Sequence, residues 1–160
     1  MNSILANTAD TDPTNHMLVR HPAAWREKSF YRYWATENVR FADLDPLGHV
    51  NNNSYGIYFE TARIAMWQSL FKGDFWVRSE YSLMRATHIE YHRELTYPNA
   101  LDIGVRILRL NNTSSEVSIG IFTGTVCHAT SHSVGVRVDA KTHSPVAIPD
   151  DVREACKQYM

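Results

Sequence analysis

Cysteine is scarce: only Cys127 and Cys156 occur in the 160 residues, and no CxxC pair is present. A disulfide framework and a zinc knuckle are therefore excluded, both thiols are expected as packing or surface groups, and a reducing, cytoplasmic setting is expected. Long apolar runs are also missing. None approaches the about 18 residues that a membrane-spanning helix needs, and the first residues lack a basic start followed by an apolar stretch, so neither spanning nor export is expected. Charge of one sign is lacking as well: the formal net charge is -1, which gives no general attraction to nucleic acid or anionic membrane. No G-x-G-x-x-G follows a strand, no G-x-x-x-x-G-K-[ST] occurs, and there is no G-x-S-x-G elbow. Dinucleotide, P-loop and serine-esterase chemistry of the α/β-hydrolase kind thus have no cradle or nucleophile, and no cofactor is expected.

What is present fits one ordinary globular domain, with 44 % hydrophobic and 21 % charged residues. Polar residues broken by Pro13 and Pro22 predict a loosely ordered tail over 1–28, followed by a single domain over 29–160. Aromatic and β-branched residues from Phe30 to Phe41 predict a first strand. Tyr55, Tyr58, Phe59, Ala62, Ala65, Met66 and Leu70 recur at three and four, which predicts a long helix that starts at Asn51 to Ser54 and stops at Lys72-Gly73. Period-two runs then predict four antiparallel strands, separated by turns at Tyr97-Pro98-Asn99, at Asn111-Asn112 and around His128 to His132. A short helix follows Pro149. This order predicts an α+β domain with one helix packed on an antiparallel sheet, whose edges invite a second copy.

Between the first strand and the helix lies FADLDPLGHVNNNSY, residues 41–55. Asp45-Pro46-Leu47-Gly48 suits a type I turn, with Asp45 bonded to its own backbone and the asparagines as caps. That reading leaves Asp43, His49 and the triple asparagine without a joint explanation. A second reading uses the same geometry: a helix that begins beside a carboxylate directs unpaired N–H groups at whatever sits there, which could polarise a carbonyl for acyl transfer.

The run from Asp43 to Tyr55, followed by Y-F-E-T-A-R over 58–63, closely resembles the hotdog-fold acyl-CoA thioesterases of the 4-hydroxybenzoyl-CoA thioesterase and YbgC-like group. I-E-Y-H-R-E-L-T-Y-P-N-A-L-D-I-G-V-R-I over 89–107 is similar to that family's second strand, turn and third strand. The resemblance implies a hotdog fold, one long central helix wrapped by a bent five-stranded antiparallel sheet. It also implies dimers that join their sheets, as a homodimer or a dimer of dimers, with the active site between subunits. Asp45 falls on the catalytic carboxylate, Asn52 on the position whose backbone N–H holds the thioester oxygen, and His49 on a polarising or positioning histidine. Tyr55 and Glu60 fall on helix positions near the site, although Glu60 and Arg63 also form an ordinary i, i+3 pair.

The reaction so implied is hydrolysis of an acyl-CoA, with Asp45 as nucleophile or as general base on water and CoA present only as part of the substrate. Candidate substrate contacts are Asn53, Tyr55, Tyr58 and Phe59, with Trp67 and Trp76 as further walls. For the CoA phosphates the candidates are Arg93, Arg85, Arg106, Arg109 and Arg137. An acyl-carrier-protein thioesterase and a non-catalytic CoA-ligand-binding module are the alternatives. Eight histidines invite a metal, but His88 and His92 on a strand would lie about 13 Å apart, so no metal site is expected.

Overall fold

A computed structural model describes residues 20–71 and 80–160. Two 3-10 turns, Ala23–Arg26 and Lys28–Phe30, lead into β1 (Tyr33–Asn38), a third 3-10 turn (Phe41–Asp43) and α1 (Asn52–Phe71). The strands β2 (Glu80–Tyr91), β3 (Ala100–Leu110), β4 (Ser114–Thr123) and β5 (Val126–Asp139) follow, then α2 (Asp150–Cys156) and a last 3-10 turn, Lys157–Tyr159. The expected helix stop at Lys72-Gly73, as well as Trp76 and Pro13, lies outside the described residues.

All strand pairs are antiparallel, in the order β1-β3-β4-β5-β2. With α1 laid on this sheet, the domain is the α+β hotdog fold that the resemblance implies. The Asn51 side chain accepts the Asn53 N–H at 2.9 Å and starts α1 as an N-cap. Tyr55, Tyr58, Phe59, Ala62 and Met66 form its buried stripe, packed against Ile103, Val105, Ile107, Val117, Ile119 and Ile121. Below this core, α2 adds Val152 and Cys156. Arg153 braces the β3–β4 turn by donating to Asn111 O and Leu110 O.

Three expectations need correction. The turn expected around His128 to His132 is the middle of β5; the chain reverses instead at Gly124, whose φ of 56° is a left-handed conformation that glycine adopts without a Cβ clash. Within the tail expected as loose over 1–28, the described residues 20–28 are ordered. Residues 20–31 lie across the sheet face opposite α1, where Tyr31, Phe122 and Cys127 make a second small core. Gly104 and Gly120 sit opposite each other in the β3–β4 register, and Tyr31 lies over both. A Cβ at Gly104 would come within 2.5 Å of Tyr31 Cγ, so glycine is what admits the ring. Tyr31 Oη donates to Trp25 O at 2.6 Å, and Lys28 binds Asp102 at 2.7 Å. The expected first strand, Phe30 to Phe41, shortens to β1 because both ends are taken by 3-10 turns.

This strap ends in a histidine cluster. His21 is buried, donates its backbone N–H to Glu90 Oε1 at 2.7 Å, and shares the Thr130 hydroxyl with His92, at 2.7 Å and 2.9 Å. Its second ring nitrogen meets His88 Nδ1 at 3.0 Å, and Trp25 packs on it at 4.6 Å. Burial pushes the His21 pKa from 6.5 down to about 4; Glu90 opposes this, and the neighbouring His88, His132 and His92 reinforce it. Between those values the unfolded chain binds more protons than the folded one, so stability falls as pH drops from 6.5 towards 4. Urea midpoints measured from pH 7 to pH 4 are expected to decline through this window, and the decline should be shallower in His21→Phe. An equal slope in both proteins would remove His21 from the acid response.

Candidate active site

The junction between β1 and α1 is built around a buried carboxylate. Asp43 is 5 % exposed, and its oxygens accept the Arg40 Nη2 hydrogen at 2.7 Å and the Arg40 Nε and backbone N–H at 2.9 Å each. The Tyr58 hydroxyl of α1 donates to the same group. Arg40's side-chain bonds are the largest influence and hold the Asp43 pKa down to about 2 against its burial, with Tyr58 and the Arg40 backbone N–H adding to the effect. Burial first, then the Asp43 charge, pushes the Tyr58 phenol up, so Tyr58 stays a neutral donor. The Asp43 carbonyl accepts the Asn51 N–H at 2.8 Å and the Ser54 hydroxyl at 3.3 Å, which ties this turn to the start of α1.

Asp45 sits in the next turn. Its carbonyl accepts the Gly48 N–H at 3.0 Å, and Gly48, with φ 82°, needs its glycine. Asp45 Oδ1 accepts the Leu47 N–H at 2.8 Å and the His49 N–H at 3.2 Å. The side chain therefore does make the self-bonded turn of the first reading, and both bonds fall on one oxygen. His49 is fixed to this turn because its carbonyl accepts the Asp45 N–H at 2.8 Å, while its Nε2 faces Glu94 Oε2 at 3.3 Å. Val50 N–H to Leu95 O, at 2.8 Å, pins the loop to the chain beyond β2.

At the end of α1 beside this loop lies a cleft of about 310 Å³. It is lined by His49, Val50, Asn52 and Tyr55, from the loop and the start of α1, and by Tyr91, His92, Arg93 and Glu94, from the end of β2 and the chain beyond it. Tyr91 donates its hydroxyl to Asn52 O at 3.2 Å, and the rings of Tyr55 and Tyr91 meet edge to face at 5.1 Å. Burial pushes the Tyr55 phenol up to about 12. The first N–H groups of a helix have no acceptor within it. Here Asn53 N–H is taken by Asn51 Oδ1 and Ser54 N–H by Asn51 O, so the Asn52 N–H is the one left for a ligand.

Of the residues singled out in the sequence, His49, Asn52, Tyr55 and Arg93 line one cleft, whereas Asp45 is not among its lining residues and is tied to it by the His49 N–H bond. Asn53 is exposed and serves the helix start, whereas Tyr58 and Phe59 are 2 % exposed and belong to the core. Trp67 packs against that core, and Trp76 is outside the described residues. Glu60 and Arg63 stand 3.7 Å apart as a helix-surface pair. Tyr91, His92 and Glu94 were missed; the only signal for them was the resemblance of the segment 89–107. Among the described residues no three His, Cys, Asp or Glu side chains come together as a metal site, and no helix is long and apolar enough to cross a membrane.

A family model described as the thioesterase-like superfamily matches residues 39–156. Among solved structures, the PA5185 protein of Pseudomonas aeruginosa is 26% identical, with a TM-score of 0.77 over 84% of this chain and 95% of that one. A predicted thioesterase from Bacillus stearothermophilus is 25% identical, with a TM-score of 0.73 over 80% of this chain and 96% of that one. A Thermus thermophilus thioesterase complexed with coenzyme A and zinc is 26% identical, with a TM-score of 0.70 over 79% of this chain and 92% of that one. No curated protein matches.

Because Asp43 is buried and charged, Asp43→Asn is expected to cost about 2 kcal/mol, the scale of a hydrogen bond to a charged group. The carboxylate's contribution is complete above its unfolded pKa of 3.8 and is lost as pH falls through about 2. Urea unfolding of the wild type and Asp43→Asn at pH 7 and at pH 2.5 checks both points, since the gap between the two proteins should narrow at the lower pH.

Proposed function

The chain belongs to the thioesterase-like superfamily, and on that premise we propose that it hydrolyses acyl-CoA thioesters to a free acid and CoA, with Asp45 and the first amide of α1 as the reacting groups. The observation that carries this is the Asn52 N–H, left without an acceptor beside the cleft while the His49 N–H ties the neighbouring loop to Asp45. A thioester oxygen at that N–H would be stabilised as negative charge develops on it, at the positive end of the helix dipole. Coenzyme A bound to the T. thermophilus relative supports a CoA thioester as the substrate.

In one form of the reaction a carboxylate oxygen of Asp45 attacks the carbonyl carbon, CoA leaves as its thiolate, and water hydrolyses the mixed anhydride. In the other, Asp45 removes a proton from water, which attacks directly. In both, water is consumed and the thiolate takes up a proton. The thiolate is a good leaving group, so no strong general acid is required. The Leu47 and His49 amides fix Oδ1, which aims the carboxylate and leaves Oδ2 for the chemistry.

A second copy of the chain has a natural place in this reading. Among the described residues β2 pairs only with β5, and as an edge strand it carries Leu83 and Met84, 47 % and 41 % exposed. Two copies joined there, as a homodimer or within a dimer of dimers, would cover these side chains and close the cleft that begins at the end of β2. Both cysteines are free and buried, which suits the cytoplasm.

One observation favours a non-catalytic CoA-binding module instead: Asp45 already has a structural use in its own turn. Asp45→Asn separates the two, because an asparagine oxygen can accept the same turn bonds but cannot serve as nucleophile or base. Thiol release from short, long, aromatic and cationic acyl-CoAs, with acyl-carrier-protein substrates alongside, is expected to fall about 10²–10⁴-fold in this variant at unchanged stability. Retained turnover would remove Asp45 from the chemistry, and no turnover of any substrate by the wild type would leave the binding module. Asn52→Pro tests the amide, since proline is accepted at the first helical position and deletes only that N–H. Its kcat is expected to drop about 10²–10³-fold, whereas Asn52→Ala keeps kcat near that of the wild type.

A further inference from the structure

We propose that His128 is a positioning residue for the site: its carbonyl and its imidazole hold residues 92–94, which line the cleft and carry the partner of His49. The proposal deepens the acyl-CoA reading above and rests on it. β5 is irregular at this residue. In the β4–β5 register Ile121 pairs with Ala129 and Phe122 with Cys127, so His128 is left without a partner on β4, as in a β-bulge. On the other side of β5 the ladder with β2 ends at the pair Tyr91 and Ala129. The next two N–H groups, of His92 and Arg93, both donate to His128 O, at 2.8 Å and 3.1 Å. Bulges re-aim side chains, and here the His128 ring meets Glu94 O, 2.8 Å from Nδ1.

The partners of the ring fix where its proton sits. Glu94 O is a carbonyl and only accepts, so Nδ1 carries the hydrogen. In the neutral imidazole Nε2 is then an acceptor, and the Thr123 hydroxyl, 2.7 Å away, donates to it. The chain of bonds runs one way, from Thr123 through His128 to Glu94 O, and pairs both nitrogens of a buried ring. The segment held in this manner also holds the reacting loop. Val50 N–H donates to Leu95 O at 2.8 Å, His49 and Thr96 form a β-bridge, and the Glu94 carboxylate faces His49 Nε2 at 3.3 Å. The Glu94 side chain is 71 % exposed, so its ion pair does little to place it, and the backbone fixed by His128 does more. His128 is not among the residues that line the cleft; it acts through 92–94.

An asparagine amide at 128 has the length to replace the Nδ1–H donor, whereas a glutamine amide reaches to the Nε2 position, so the two variants separate the bond to Glu94 O from the bond to Thr123. In His128→Gln the kcat for acyl-CoA hydrolysis is expected to fall about 10–10²-fold with KM nearly unchanged, and in His128→Asn it is expected to stay near that of the wild type. Nitrogen NMR of the histidine rings reads the same arrangement without turnover. The wild type is expected to show His128 as the Nδ1–H tautomer, and the His49 ring and Asn52 amide signals are expected to move in His128→Gln but not in His128→Asn. An Nε2–H tautomer in the wild type overturns the positioning, and this measurement decides even where His128→Gln does not fold. Unmoved His49 and Asn52 signals in His128→Gln, unchanged turnover in that variant, or equal losses in both variants overturn it as well. A wild type with the expected tautomer and signal shifts that releases no thiol from any acyl-CoA overturns the hydrolytic reading and leaves the positioning of the cleft standing.

Discussion

The Asp43 carboxylate is the constraint on which the rest of the site depends. Burying a charge is costly unless it is paired and fully hydrogen-bonded. Here the pair is asymmetric: Asp43 is buried, while the Arg40 side chain is 56 % exposed and keeps much of its hydration. The buried partner gains four donors, and the exposed one loses little water. Because one donor is Tyr58 of α1 and the Asp43 carbonyl holds Asn51 and Ser54, the bonds join the loop and the helix start into one rigid unit. The Asp45 turn and the Asn52 N–H are placed relative to each other by this unit, which is the preorganisation that the proposed acyl chemistry would require.

The second constraint lies on the far face of the sheet. β4 is buried almost without interruption, which an antiparallel strand achieves only when both faces are covered. α1 covers one face with Val117, Ile119 and Ile121 beneath it; the strap covers the other, with Phe122, Gly120 and Ser118 beneath Tyr31 and its neighbours. Polar groups on this outer face, His128, Thr130 and the His21 ring among them, are held in a hydrogen-bonded network that links the strap to the end of β2. The strap is therefore part of the domain's packing rather than an appendage, and His21 makes that packing sensitive to acid.

Periodicity made α1 and the four later strands legible, because a stripe at three and four and an alternation of two leave direct marks on the chain. Where both faces of a strand are buried the alternation is lost, as over Cys127 to Ser131 of β5, and this is why a turn was read around His128 to His132. The strap failed for a related reason: 3-10 turns have no amphipathic period, and the contacts that hold Trp25, Tyr31 and His21 come from residues up to 109 positions away. Asp45, His49 and Asn52 were legible because they fall in one short motif. Asp43 was visible as an unexplained carboxylate, but its role depends on Tyr58, fifteen residues later, in a contact that only the folded chain makes.

At the helix start, the groups of the proposed reaction would act on charge that appears only during that reaction, so small displacements would matter there, and these groups sit on backbone amides and a turn locked by Asp43. The His21–Thr130–His92 contacts join the outer face to the cleft, because the His92 ring bonds Thr130 and the same residue lines the cleft.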